Sequence, residues 1–211
     1  MSTMPDWDDI FAQKGKYFTK PHPDMERLAE LFIKKDVHRI LDLGCGTGRH
    51  LIFLLKKGFE VYGLDGSPNG LEITRKWLME ENLSSELICQ QIEHEFPYKD
   101  SFFDAVISIQ VLHHNLMKDI LFTVREIKRT LKPEGFIFIT FPIFKGFYLA
   151  RQNMEEVEKR TFVPLKGPEK GLPHHFFTVA EIKKVFNAFD LSEIYIDTTN
   201  HRAILGQKIS N

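Results

Sequence analysis

Two cysteines in 211 residues, Cys45 and Cys89, are too few for a disulfide framework. Both stand among apolar residues and read as small buried fillers, which suits a reducing, cytoplasmic compartment. Charge of either sign is not in excess. The 28 basic and 29 acidic side chains leave a formal net charge of −1, which disfavours a nucleic-acid or membrane-surface footprint. The acidic opening MSTMPDWDDIFAQKGK has no apolar segment of signal-peptide length. The greasiest run, around 136–144, is too short to cross a bilayer. Repeats, low-complexity tracts and an interdomain linker are missing too, so one domain over 1–211 is expected.

What is present is alternation. Asp24 stands at an N-cap position before a helix through about 35, with Met25, Leu28, Leu31 and Phe32 on one face. Short apolar strands are predicted at 37–43, 59–65, 87–91, 103–109 and 135–141. Helices at 48–57, 68–81 and 116–131 lie between them. Ser67-Pro68 supplies a hydroxyl cap and a first-turn proline, and Lys56, Lys57 and Gly58 a C-terminal stop. Such alternation predicts a parallel sheet covered on both faces.

The last third departs from that pattern. The stretch 143–175 has no strand signal and contains VPLKGPEKGLP, and its first half, 147–159, has helix-forming composition. A connection of that length reads as a functional lid. Thr178 and Glu181 have capping-box spacing. Two closing strands at 191–197 and 201–209, separated by Thr198-Thr199-Asn200, must run antiparallel.

The stretch LDLGCGTGRH over 41–50 puts three glycines at alternate positions after a buried strand. Glycine there permits unusual dihedrals and lets a ligand approach the backbone. A phosphate loop would need Gly-Lys-Ser/Thr, and Gly48 is followed by Arg49-His50. The dinucleotide fingerprint would need glycine where Arg49 stands.

The pattern Asp-x-Gly-x-Gly-x-Gly resembles the first motif of the class I S-adenosylmethionine-dependent methyltransferases. VYGLD (61–65), FPYKDSFFDAVIS (96–108) and EIKRTLKPEGFIFIT (126–140) are similar to that family's later segments, in the same order. Glu134 departs from the family's usual Pro-Gly-Gly turn. The resemblance implies a Rossmann-like, seven-stranded α/β methyltransferase fold with an antiparallel last strand and helices on both faces. It implies a cofactor-binding core at 37–142 beneath an N-terminal cap, 1–36. A substrate lid at 143–177 and a closing helix and strand pair at 178–211 follow.

The implied cofactor is S-adenosyl-L-methionine, leaving as S-adenosyl-L-homocysteine, held by Asp42, Gly44, Cys45, Gly46, Gly48, Asp65, Gly66, Gln91, Ile92, Ile109 and Gln110. Asp65 would accept the ribose hydroxyls and Asp42 would stand near the ammonium. Gln91 and Ile92 would hold adenine, and Ser108, Ile109 and Gln110 would face the methionine part. His113, His114 and His175 are candidate catalytic groups. Tyr148, Arg151, Arg160, Phe162 and His174 are candidate acceptor-facing residues, and the aromatics of 7–20 (Phe11, Tyr17, Phe18) either cover the cofactor or simply pack. No metal is expected, because no acidic or cysteine partner has ligand spacing with these histidines.

Strand four ends SIQVLHH, without the Asn/Asp-Pro-Pro-Tyr/Phe signature of relatives that methylate DNA adenine or protein glutamine. A small-molecule O, N, S or metalloid acceptor is therefore expected, on a monomer or homodimer, without a membrane partner. Size and the closing HRAILGQK are loosely similar to tellurite-resistance methyltransferases. The alternatives are tRNA, rRNA or protein methylation, or a cofactor-binding module without catalysis.

Overall fold

Successive strand residues face opposite sides of a sheet, and here both sides are apolar. The computed structural model describes residues 7–16, 18–144 and 153–210. Five strands, β1 (Arg39–Leu43), β2 (Glu60–Asp65), β3 (Glu86–Cys89), β4 (Phe103–Ile109) and β5 (Leu131–Pro142), run parallel. Ile40, Ala105, Ile107 and Phe138 point to one side, where α2 (Met25–Lys34), α3 (Arg49–Lys56) and α4 (Pro68–Glu80) pack. Leu41, Leu43, Val106, Ile137 and Ile139 point to the other, against α5 (Met117–Thr130) and α6 (Val179–Val185). Two separate cores result, one on each face.

The chain closes with β9 (Phe189–Ile196) and β10 (His201–Lys208), and the sheet order is β3-β2-β1-β4-β5-β10-β9. Strand β10 inserts antiparallel between β5 and β9. The expected seven-stranded Rossmann-like sheet with helices on both faces is thus the observed one. The local caps are also found. Ser67 Oγ accepts from the Gly70 N–H at 2.9 Å, and Thr178 and Glu181 form a capping box. Asp24 does stand at the N-cap of α2 but makes no side-chain cap bond; its carboxylate accepts from the Tyr195 hydroxyl instead.

Three expectations are corrected. The stretch 143–175 is not strandless: β6 (Met154–Glu158), β7 (Thr161–Pro164) and β8 (His174–His175) form a small antiparallel sheet. The helix predicted for 147–159 is a strand in its described part, because pairing of Glu155 with Val163 and Glu156 with Phe162 overrides the local propensity. Tyr148 and Arg151 lie outside the described residues, as does Tyr17. Third, Cys89 is exposed rather than buried, since β3 is an edge strand that packs loosely.

Glu158 locks the small sheet to the main body. Its Oε1 accepts from the Met117 N–H at 2.6 Å and from Thr161 Oγ1 at 3.0 Å. That anchor sets β8 against the carboxyl end of β4. Among the described residues no helix is long and apolar enough to cross a membrane.

Candidate active site

The carboxyl ends of β1, β2 and β4 open into a cavity of about 960 Å³, the upper end of the range for small-molecule and cofactor sites. Gly44 (φ 75°) and Gly48 (φ 87°) turn the chain beneath it in the left-handed region. A side chain at either would also meet a neighbour: Val111 closes on Gly44, and Thr74 Cγ2 would lie 2.7 Å from a Cβ on Gly48. The glycines therefore admit packing partners as much as a ligand. Phe11 stands over Gly46 in the same way.

Asp65 lies on the cavity wall at the end of β2. Its Oδ2 accepts from the Gly46 N–H at 2.7 Å and its Oδ1 from the Ser67 N–H at 2.8 Å. Each oxygen keeps a further lone pair for a ligand hydroxyl. Burial pushes this carboxyl up, and the two backbone N–H groups pull it back. Gly44, Cys45, Gly46, Gly66, Gln91, Ile92, Ile109 and Gln110 also line the cavity. The Gln91 side chain lies directly over Gly66.

Gln110 holds φ 63°, unusual for a side chain of its size, and is pinned by Thr140 Oγ1, which accepts from its backbone N–H at 3.0 Å and its Nε2 at 2.9 Å. Asp42 and Gly48 stand behind the wall, outside the cavity lining. Asp42 is fully enclosed, its Oδ2 has no hydrogen-bond partner, and burial raises it to about 7 against the pull of Arg49.

At the other end of the cavity His113 and His114 follow β4 in a short 3₁₀ turn, 112–114. His174 of β8 faces them, with ring centroids 5.8 Å and 4.6 Å away. Burial first, then the neighbouring imidazoles, push His113 well below its ordinary range and His114 down to about 3. Both are neutral at neutral pH and would hold an abstracted proton weakly.

His175 is not on the cavity. Adjacent strand residues face opposite ways, so it turns into the small sheet, where its Nδ1 lies 2.8 Å from Thr161 Oγ1. Arg160 and Phe162 lie away from the cavity as well: Arg160 donates to the Phe176 carbonyl at 2.6 Å, and Phe162 is buried among aromatic rings. Of the described acceptor-facing candidates, His174 reaches the lining.

The N-terminal helix α1 (Trp7–Lys14) covers the opposite wall. Asp8 clasps it to α4, accepting from Ser67 Oγ at 2.6 Å, the Asn69 N–H at 2.7 Å and Asn69 Nδ2 at 2.8 Å. Burial works to raise the Asp8 carboxyl, yet these bonds together hold it below its ordinary range. His22, His50, Arg49, Lys20 and Glu169 also line the cavity, and sequence reasoning gave them no role. His50 and Arg49 adjoin the glycine turn and were findable. His22, bonded through Nε2 to the Asp197 carboxylate 3.0 Å away and 175 positions along the chain, had no local signal.

A crevice beyond the carboxyl ends of parallel strands, with an acidic residue ending the second, defines a Rossmann-like nucleotide-cofactor protein. Residues 41–139 match the family model described as "Methyltransferase domain". The putative methyltransferase YqeM of Bacillus subtilis is 38% identical over 117 residues, 53% of this chain and 44% of that one. The chain thus spans less than half the length of that relative. The ubiquinone biosynthesis O-methyltransferase of Vibrio parahaemolyticus is 29% identical, over 82% of this chain and 69% of its own. A S-adenosylmethionine-dependent methyltransferase structure from Methanosarcina mazei shares the fold, with TM-score 0.75, 20% identity and coverage of 91% of this chain and 100% of that one. Residues 41–139 are thus similar to a methyltransferase domain, and the relatives and the shared fold support a class I S-adenosylmethionine-dependent methyltransferase, a class whose cofactor is S-adenosylmethionine.

Proposed function

We propose that the protein transfers the methyl group of S-adenosylmethionine to a small-molecule nucleophile. The observation that carries this reading is the pairing in one cavity of a polar wall suited to the cofactor with a separate histidine-lined end suited to an acceptor. The residues fit the cofactor: Asp65 has lone pairs to spare for a ribose diol, and Gln91 and Ile92 offer a flat, half-apolar floor for adenine. The unpartnered Oδ2 of Asp42, enclosed behind the wall, is the kind of buried acceptor that a water between it and a bound ammonium would satisfy. Arg49 and Lys20 on the wall offer cations to a carboxylate.

Bound there, the cofactor supplies an electrophilic methyl group that a nucleophile displaces in line. The protein's own part is alignment and exclusion of water. Helix α1 and the small sheet close the two sides, and His113, His114 and His174 bound the acceptor end. With His113 pushed well below its ordinary range and His114 down at about 3, those two rings shape the pocket rather than store a proton. A ubiquinone-pathway relative that methylates oxygen supports a small acceptor.

Calorimetry with S-adenosylmethionine and separately with NADH tests the cofactor, and binding of NADH alone would overturn the reading. A methyl-transfer screen on phenols, amines, thiols and metalloid oxyanions then tests the acceptor. Activity confined to RNA or protein would replace the small-molecule assignment.

A further inference from the structure

Residues 112–114 and β8 are distant along the chain, yet His113, His114 and His174 each present a ring nitrogen within 4.8 Å of the others. The Nδ1 atoms of His113 and His114 are buried and have no hydrogen-bond partner. Unsatisfied lone pairs in a buried polar cluster are costly unless something fills the space between them. On His174, Nδ1 faces the Leu172 carbonyl at 2.9 Å and Nε2 faces the Glu169 carboxylate at 3.0 Å. A proton or a metal ion must stand between that nitrogen and that carboxylate.

Trp7 of α1 packs edge-on to His114, with ring centroids 5.2 Å apart, and roofs the group. Sequence spacing hides the cluster, because Glu169 and His174 lie more than 50 positions beyond His113 and His114.

We propose that His113, His114 and His174, with Glu169 beside them, bind a divalent transition-metal ion of the zinc type at the acceptor end of the cavity. Three imidazoles with a carboxylate are a donor set for such ions, and not for calcium or magnesium. Tetrahedral coordination sets the nitrogens about 3.3 Å apart, so the rings close inward by about 1 Å on binding. His174 coordinates through Nε2 while its Nδ1–H donates to the Leu172 carbonyl, which fixes the ring, and Glu169 serves as the fourth ligand. Displacing Glu169 would open one position to the cavity, where an oxygen or sulfur of the acceptor would coordinate. Ion binding is independent of methyl transfer; only that last role rests on the methyltransferase reading.

The test uses the full chain, stripped with chelator and titrated with cobalt(II) chloride without S-adenosylmethionine. One equivalent of Co(II) per chain should give saturable visible ligand-field bands, displaced by Zn(II). His113→Ala and His174→Ala should each weaken Co(II) at least about tenfold, and Glu169→Gln by about 10–100-fold. His38→Ala, at an exposed site away from the cavity, should leave the titration unchanged. X-ray absorption of the wild-type Zn(II) form should count three imidazoles, a readout that stands even if a histidine variant fails to fold.

No saturable Co(II) binding by the wild type, or unchanged affinity in a folded His174→Ala protein, overturns the site. Calorimetry with S-adenosylmethionine on the same stripped protein separates the two readings. Cofactor binding without Co(II) binding removes only the metal site, and the reverse removes only the methyltransferase reading.

Discussion

Asp42 and Asp65 carry the same charge on neighbouring strands and do different work. Asp65 already accepts two backbone N–H bonds and sits on the cavity wall. Asp65→Ala is expected to weaken S-adenosylmethionine binding by about 1–3 kcal/mol, read by calorimetry. Unchanged affinity would reduce Asp65 to a brace for the glycine turn.

Asp42 is raised to about 7 by burial, whereas in the unfolded chain it titrates near 3.9. Between about pH 4 and 7 the folded state keeps a proton that the unfolded state has lost, so stability falls as pH rises through that window. Asp42→Asn should remove the slope. Denaturant unfolding should find the variant about 2–4 kcal/mol more stable at pH 8 and equal at pH 4.

Glu134 shows residue-scale strain outside the site. It holds φ 60°, in the left-handed region that favours glycine, and Glu134→Gly should raise stability by about 0.5–1 kcal/mol in the same assay.

Among the elements, α1 is held to α4 by a side-chain clasp. Asp8 binds both the cap residue Ser67 and Asn69 of α4, while Phe11 covers Gly46. Asp8→Ala should free the helix. Hydrogen exchange of residues 8–14 should speed up while the strands keep their protection, and cofactor affinity should drop about tenfold if α1 is a cover. Unchanged affinity with a freed helix would leave α1 a packing element.

The small sheet β6-β7-β8 does comparable work on the other side, and its two-residue strand β8 decides which histidine matters. His174 turns to the cavity and His175 away from it. The pair is indistinguishable in the sequence. A one-residue change of register in β8 would exchange them.

At the scale of the molecule, the cavity is assembled from α1, residues 18–23, the carboxyl ends of the parallel strands, the small sheet with the loop before it and the turn before β10. A ligand that touches all of these binds the folded state alone. At about 100 times its dissociation constant, S-adenosylmethionine should add about 2.7 kcal/mol of stability, a rise in melting temperature of about 5–10 °C by calorimetric scan. No shift at saturation would contradict a cofactor seated in this cavity.

The cofactor half of this protein was legible in the chain because its signals are local. A strand, a glycine turn, a helix and an acidic residue 17 positions later are set by periodicity, capping and backbone dihedrals, and LDLGCGTG and VYGLD carry them within 25 residues. The antiparallel closing pair followed from a three-residue turn. Tertiary structure alone decided the histidine-lined end of the cavity. The strands of 153–175 exist through cross-strand pairing rather than propensity, Cys89 is exposed because β3 is an edge, and His22 meets Asp197 across the whole chain. His113, His114 and His174 become one cluster, with Glu169 bonded to His174, because Glu158 docks the small sheet against α5, a long-range bond that no window of sequence contains.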